Sequence, residues 1–136
     1  MERSLVTREQ VMFFDTDAGG VMHNLAYLRM IETCRTKLAV QLGFDLREMA
    51  QTQIFAVLVE TRINYHLPAR LGDVLEVHGH LAEVERARFW CEFTMCPEGG
   101  GRNYVSCRQA LALVQMPQGR PVRLPAEIRA AGASRG

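Results

Sequence analysis

Lysine is almost absent: Lys37 is the only one among 16 basic side chains, and arginine supplies the rest. Against 15 acidic residues the formal net charge is +1, so no basic excess exists to hold a polyanion, and nucleic acid is not an expected partner. No apolar run approaches the roughly 20 residues that a bilayer-crossing helix requires. The opening MERSLVTRE has no apolar core of the kind a secretory leader carries. A cytoplasmic location without membrane association is therefore expected. Four cysteines occur, Cys34, Cys91, Cys96 and Cys107, with no CxxC spacing, and each sits within an apolar pattern. They read as buried free thiols rather than as disulfides or metal ligands. Gly99 to Gly101 lacks the lysine and the following helix of a nucleotide-phosphate loop, which leaves a hairpin. Internal repeats and linker-like stretches are also missing. A chain of 136 residues then reads as one domain, residues 1–136, with a real core and a tail partly irregular from about residue 117.

What is present is organised around Asp15 to Gly43. Tyr27, Ile31, Cys34, Leu38 and Leu42 recur at steps of four and three, which predicts one long helix with an apolar stripe. From Asn24 to Leu42 it would be a rod of about 28 Å. Asn24 suits the cap, Gly43 suits the stop, and the pair Gly19-Gly20 reads as the opening of the helix. Ahead of it, Leu5 to Phe14 reads as a strand that delivers Asp15 and Asp17 to the junction. After it, Leu46 and Met49 suggest a short helical turn in a mixed connector. Ile54–Tyr65, Val74–Glu85, Phe89–Met95 and Asn103–Gln115 carry strand patterns, and Pro125 suits the first position of a short terminal helix, beyond which the chain is expected to fray after Gly132. One helix stripe with five strands calls for an α+β domain in which a curved antiparallel sheet covers the helix, with a dimer continuing the sheet across an open edge.

Two segments bear on chemistry. The first is Asp15-Thr16-Asp17-x-x-Gly20-Val21, then Tyr27-Leu28, Glu32 and Arg35; the second is Asn64-Tyr65-x-x-Pro68-Ala69-Arg70-Leu71-Gly72-Asp73. Together they resemble the signatures of hot-dog-fold acyl-CoA thioesterases of the 4-hydroxybenzoyl-CoA thioesterase and YbgC type. The resemblance implies a hot-dog fold, one long helix wrapped by a five-stranded antiparallel sheet, and an obligate homodimer, often a homotetramer, with active sites at the dimer interface. It implies hydrolysis of an acyl-CoA to free acid and CoA, without metal or redox cofactor. Asp17 is then the catalytic carboxylate, as nucleophile or as base on water, and a backbone N–H near Asn24 holds the thioester carbonyl. Gly20, Val21, Tyr27 and Arg70 are expected to contact substrate. The acyl group is aromatic, short aliphatic or carried on acyl carrier protein.

The family pattern often reads G-V-V-Y-H, whereas here Gly20-Val21-Met22-His23-Asn24 places His one position early and Asn at the family His position. Hydrolysis needs an attacking or activating group and a place for the oxyanion, and a carboxylate beside a helix N-terminus offers both. An Asp ahead of a helix also serves as a cap or turn former, the better reading for Asp15. His23 either orients water or the acyl group, or bonds to loop backbone. Glu32 and Arg35 read as a helix-surface pair. His78 and His80 share a strand face but lack a matching carboxylate or cysteine pattern, so no zinc site follows. Arg70, Arg86, Arg88 and Arg102 are positioned beside turns where CoA phosphates are expected, or simply keep the surface soluble. Two other activities fit the same fold: a module that binds acyl-CoA or acyl carrier protein without cleaving it, and a hydratase.

Overall fold

A computed structural model describes residues 3–133. The expected fraying after Gly132 begins one residue early, since Ala133 still belongs to the last helix, and its remainder, residues 134–136, lies outside the described residues. The chain runs β1 (Ser4–Gln10), α1 (Asn24–Gln41), α2 (Leu46–Thr52), β2 (Ile54–Tyr65), β3 (Val74–Val84), β4 (Arg88–Pro97), β5 (Val105–Gln115), β6 (Arg120–Pro121) and α3 (Ala126–Ala133). The five long strands form an antiparallel sheet in the order β1-β3-β4-β5-β2. The two-residue β6 pairs with Val114 and Gln115, beyond the end of β4 on β5. This is the hot-dog architecture, with α1 lying against the sheet.

The stripe on α1 is what binds helix to sheet. Tyr27, Ile31, Cys34, Leu38 and Leu42 are all buried, joined by Met30, and they meet the inward residues Leu75, Val77, Leu81, Phe89, Phe93 and Met95. At ~25 cal/mol per Å² of apolar area removed from water, such a seam supplies the main force holding the rod in place. Close approach is possible because β3 carries Gly79 under the helix: a Cβ there would lie 3.0 Å from the Cys34 sulfur and 2.8 Å from the Phe93 ring.

Three expectations about the first half need correction. The first strand ends at Gln10, and Phe13–Asp15 form a single 3₁₀ turn with Phe13 and Phe14 82% and 73% exposed. The buried residue at this point is Val11, whose N–H donates to the Asp73 carbonyl and whose carbonyl accepts from the Gly72 N–H one step past the Gln10–Val74 pair, and the 3₁₀ turn follows. The helix cap is His23, not Asn24: its ring Nδ1 accepts from the Ala26 N–H at 3.3 Å, and Asn24 is the first helical residue. Lastly, Gly19-Gly20 does not open the helix. Gly20, at φ +77°, closes a tight turn in which its N–H donates to the Asp17 carbonyl, and three residues separate it from Asn24. At the other end Gly43 takes φ +100° just past the helix, as a stop residue should.

Candidate active site

The two sequence segments are distant in the chain and meet in the fold as one hydrogen-bonded unit. Thr16 pairs with Met22, closing a loop over Asp17 to Val21, and Val21 in turn bridges to Arg70. The Met22 N–H donates to the Ala69 carbonyl at 2.8 Å, and the Ala69 N–H donates to the Tyr27 hydroxyl at 2.9 Å. Asp73 fastens the second segment by accepting from the Arg70 N–H and, at 3.3 Å, from the Tyr104 hydroxyl. Burial, and then the adjacent Asp73 charge, raise the Tyr104 phenol above its ordinary value, so it remains a neutral donor. PARLGD thus acts as the floor on which the acidic loop is laid.

The two carboxylates of that loop have separate situations. Asp15 is 3% exposed; its Oδ2 accepts from the Met12 N–H at 3.0 Å, its carbonyl accepts from the His23 N–H, and Arg29 lies 3.9 Å from Oδ1. It holds the loop. Asp17 is exposed, with Oδ1 accepting from the Gly19 N–H at 2.8 Å in an Asx turn. Its Oδ2 has no partner among the described residues. At the start of α1 the N–H groups of Asn24 and Leu25 have no backbone acceptor within the described residues, as the first turn of a helix dictates. The loop therefore combines a free carboxylate oxygen with free helix-terminal donors.

Beside it lies a cleft of about 300 Å³ lined by Met22, Asn24, Tyr27, Tyr65, His66, Leu67 and Pro68. Of the expected site residues, Asn24 and Tyr27 line it. Asp17, Gly20, Val21 and His23 belong to the adjoining loop and cap, and Arg70 is an exposed side chain on the neighbouring bridge. The Tyr65 ring meets that of Tyr27 edge-on at 5.4 Å, and His66 Nε2 lies 2.8 Å from the Ser106 hydroxyl. Tyr65, His66 and Leu67 were not singled out from the sequence, although Tyr65 stands in the second segment; the bend after β2 carries them there.

Elsewhere, Arg35 does pair with Glu32 at 3.6 Å, yet it is more than a surface partner. Its guanidinium reaches inward and donates to the Gln109 side chain at 2.8 Å, and Gln109 is 2% exposed. Cys34, Cys91 and Cys107 are buried, and burial pushes the Cys91 and Cys107 thiols up to about 12 and about 11. Cys96 is only half-buried.

Because Tyr27 supplies the acceptor for a buried N–H, Tyr27→Phe should cost about 1–3 kcal/mol by orphaning the Ala69 donor, with the ring packing retained. Urea unfolding measures this; an unchanged midpoint would mean the hydroxyl contributes nothing to anchoring the floor.

Residues 11–132 match the family model of the thioesterase-like superfamily. The acyl-CoA thioesterase YbgC of Haemophilus influenzae is 32% identical over 126 residues, covering 90% of this chain and 89% of that protein. The 1,4-dihydroxy-2-naphthoyl-CoA hydrolase of Thermosynechococcus vestitus is 31% identical over 116 residues, covering 85% and 79%. Among solved structures, a 1,4-dihydroxy-2-naphthoyl-CoA thioesterase from Synechocystis superposes with a TM-score of 0.84 over 96% of both chains at 20% identity, a likeness of fold. With both segments folded into one unit at the start of the long helix, and the match extending over nearly the whole chain, this protein belongs to the thioesterase-like superfamily.

Proposed function

We propose that the chain is a thioester hydrolase that cleaves an acyl-CoA to the free acid and CoA at the loop bearing Asp17. The observation that supports this most is the joining of the two segments, on a loop that carries an Asp17 oxygen without a partner among the described residues and leads into α1, whose first N–H groups have no backbone acceptor there. Asp17 takes a proton from water as the water oxygen attacks the thioester carbonyl, or attacks that carbon itself to form an anhydride that water then opens. In either case the carbonyl oxygen gains negative charge, which N–H groups at the helix terminus stabilise, and the C–S bond breaks to release the thiolate. That thiolate leaves as CoA after taking up a proton. Asn24 supplies a donor, Gly20 and Val21 shape the loop, Tyr27 walls the cleft, and Arg70 is placed to meet a CoA phosphate. His23 caps α1 and thereby orients its first turn. The relatives named above are acyl-CoA hydrolases by name, which supports CoA as the carrier.

The working unit in this proposal is a homodimer, itself able to pair into a homotetramer. β2 is an edge strand with no strand on its outer side among the described residues, and it exposes Leu58 and Val59 by 45% and 51%. It ends at Tyr65, in the wall of the cleft, so a second chain laid along this edge would reach the site. Val59→Lys should shift the chain from dimer toward monomer in light scattering and lower turnover with it. A wild-type chain that runs as a monomer at assay concentrations would refute this part.

One observation favours a second reading, a module that binds acyl-CoA without cleaving it: Asp17 is not among the residues lining the cleft. Free-thiol release from a panel of acyl-CoA and acyl carrier protein thioesters separates the two. Catalytic thiol release supports hydrolysis; saturable binding with no thiol release would establish the binder.

A further inference from the structure

Away from the Asp17 loop, the outward face of the sheet brings Cys96 up to two side chains of β3 that lie about twenty residues earlier in the chain. Glu76 and His78 are two residues apart on β3 and so share a face, while Cys96 on β4 stands directly opposite Glu76. The thiol, an imidazole nitrogen and a carboxylate oxygen lie within 4.8 Å of one another, with His78 Nε2 already 3.0 Å from Glu76 Oε1. We propose that Glu76, His78 and Cys96 form a binding site for a divalent transition-metal ion of the Zn²⁺ type, clipping β3 to β4.

A tetrahedral Zn²⁺ with bonds of 2.0–2.3 Å places its ligand atoms roughly 3.3–3.8 Å apart, so closure asks for movements of about 1 Å through side-chain torsions. Two strands of a regular sheet supply a rigid base for that. Thiolate, imidazole and carboxylate together carry two negative charges, which a divalent ion neutralises, and the sulfur selects Zn²⁺ over Mg²⁺ or Ca²⁺. Glu76 and Cys96 are half-buried and His78 is exposed, so the fourth position opens to water. The neighbouring charges are already engaged: Arg8, opposite Glu76 on β1, pairs with Glu98, and His80 lies 3.4 Å from Glu92. Sequence reading set zinc aside because His78 and His80 lacked a cysteine or carboxylate partner. Glu76 on the same strand supplies the carboxylate, the pairing of β3 with β4 supplies Cys96, and His80 is not part of the set.

Burial, reinforced by the Glu76 charge, raises the Cys96 thiol, so the ion must displace a proton to bind.

The test uses the tag-free full chain, reduced with a phosphine, titrated with Zn²⁺ against a chromophoric chelator and with Co²⁺ by absorption. One equivalent of Zn²⁺ per chain is expected, with a thiolate-to-cobalt charge-transfer band in the near ultraviolet. Cys96→Ser should abolish that band, and both Cys96→Ser and His78→Ala should weaken Zn²⁺ at least ~10-fold, since even changes to groups behind a ligand cost that much. Should Cys96→Ser fold poorly by circular dichroism, the exposed His78→Ala decides alone. Absence of saturable binding, or binding indifferent to these substitutions, overturns the site.

Discussion

Asp17→Asn is expected to keep the fold and lose about 10²–10⁴-fold in turnover on acyl-CoA thioesters, the range that one positioned acid or base contributes. The substitution is chosen because the Asn side-chain oxygen still accepts from the Gly19 N–H, so the Asx turn survives while the charge and the unpaired oxygen are lost. Steady-state thiol release gives the rate, and the urea midpoint checks the fold. Asp15→Asn provides the contrast. That side chain is buried on the Met12 N–H with Arg29 nearby, so neutralising it should reduce stability and affect turnover only through the loop. Full turnover in Asp17→Asn would remove the carboxylate from the reaction; the opposite pattern, with Asp15 the more damaging to rate in a folded chain, would transfer the chemistry to Asp15.

Gly79→Val should be the most destabilising of the single substitutions considered, at about 3 kcal/mol, the upper end of ordinary overpacking. The ideal Cβ position lies 2.8 and 2.9 Å from two carbons of the Phe93 ring and 3.0 Å from the Cys34 sulfur, and two further methyl groups make it worse. Both neighbours are themselves buried, Cys34 fully and Phe93 nearly so, so neither side has room to yield. Gly79→Ala should cost less, and much of its cost should be relieved by Phe93→Leu in the same chain, because the ring is the nearer obstacle. Chemical denaturation of the four variants tests this coupling; strictly additive free energies would show that the glycine is required for some other reason.

The helix stripe, the five long strands and the family resemblance were legible because each depends on local periodicity or on contiguous motifs. Tyr27 to Leu42 announces its buried face through spacing alone. Phe13 and Phe14 misled for the same reason: strand propensity continued through them, but the last bonds on this side are those of Val11 to Gly72 and Asp73, some sixty residues away, and a 3₁₀ turn follows. His23 became the cap because the His23 N–H is tied to the Asp15 carbonyl, which fixes where the helix begins. Arg35 showed only its neighbour Glu32 in the sequence, whereas the buried Gln109 that it also serves lies on β5.

By itself the sequence determined where the long helix and the five long strands run, which face of α1 is apolar, and that Asp17 stands ahead of that helix, since these follow from the order of neighbouring side chains. Tertiary structure alone decided that PARLGD is the floor beneath the acidic loop, that Gly79 is where helix meets sheet, and that Cys96 faces Glu76 and His78. Those are matters of register between strands and of bonds across dozens of residues, and a pairing of that kind leaves no mark in the order of neighbouring residues.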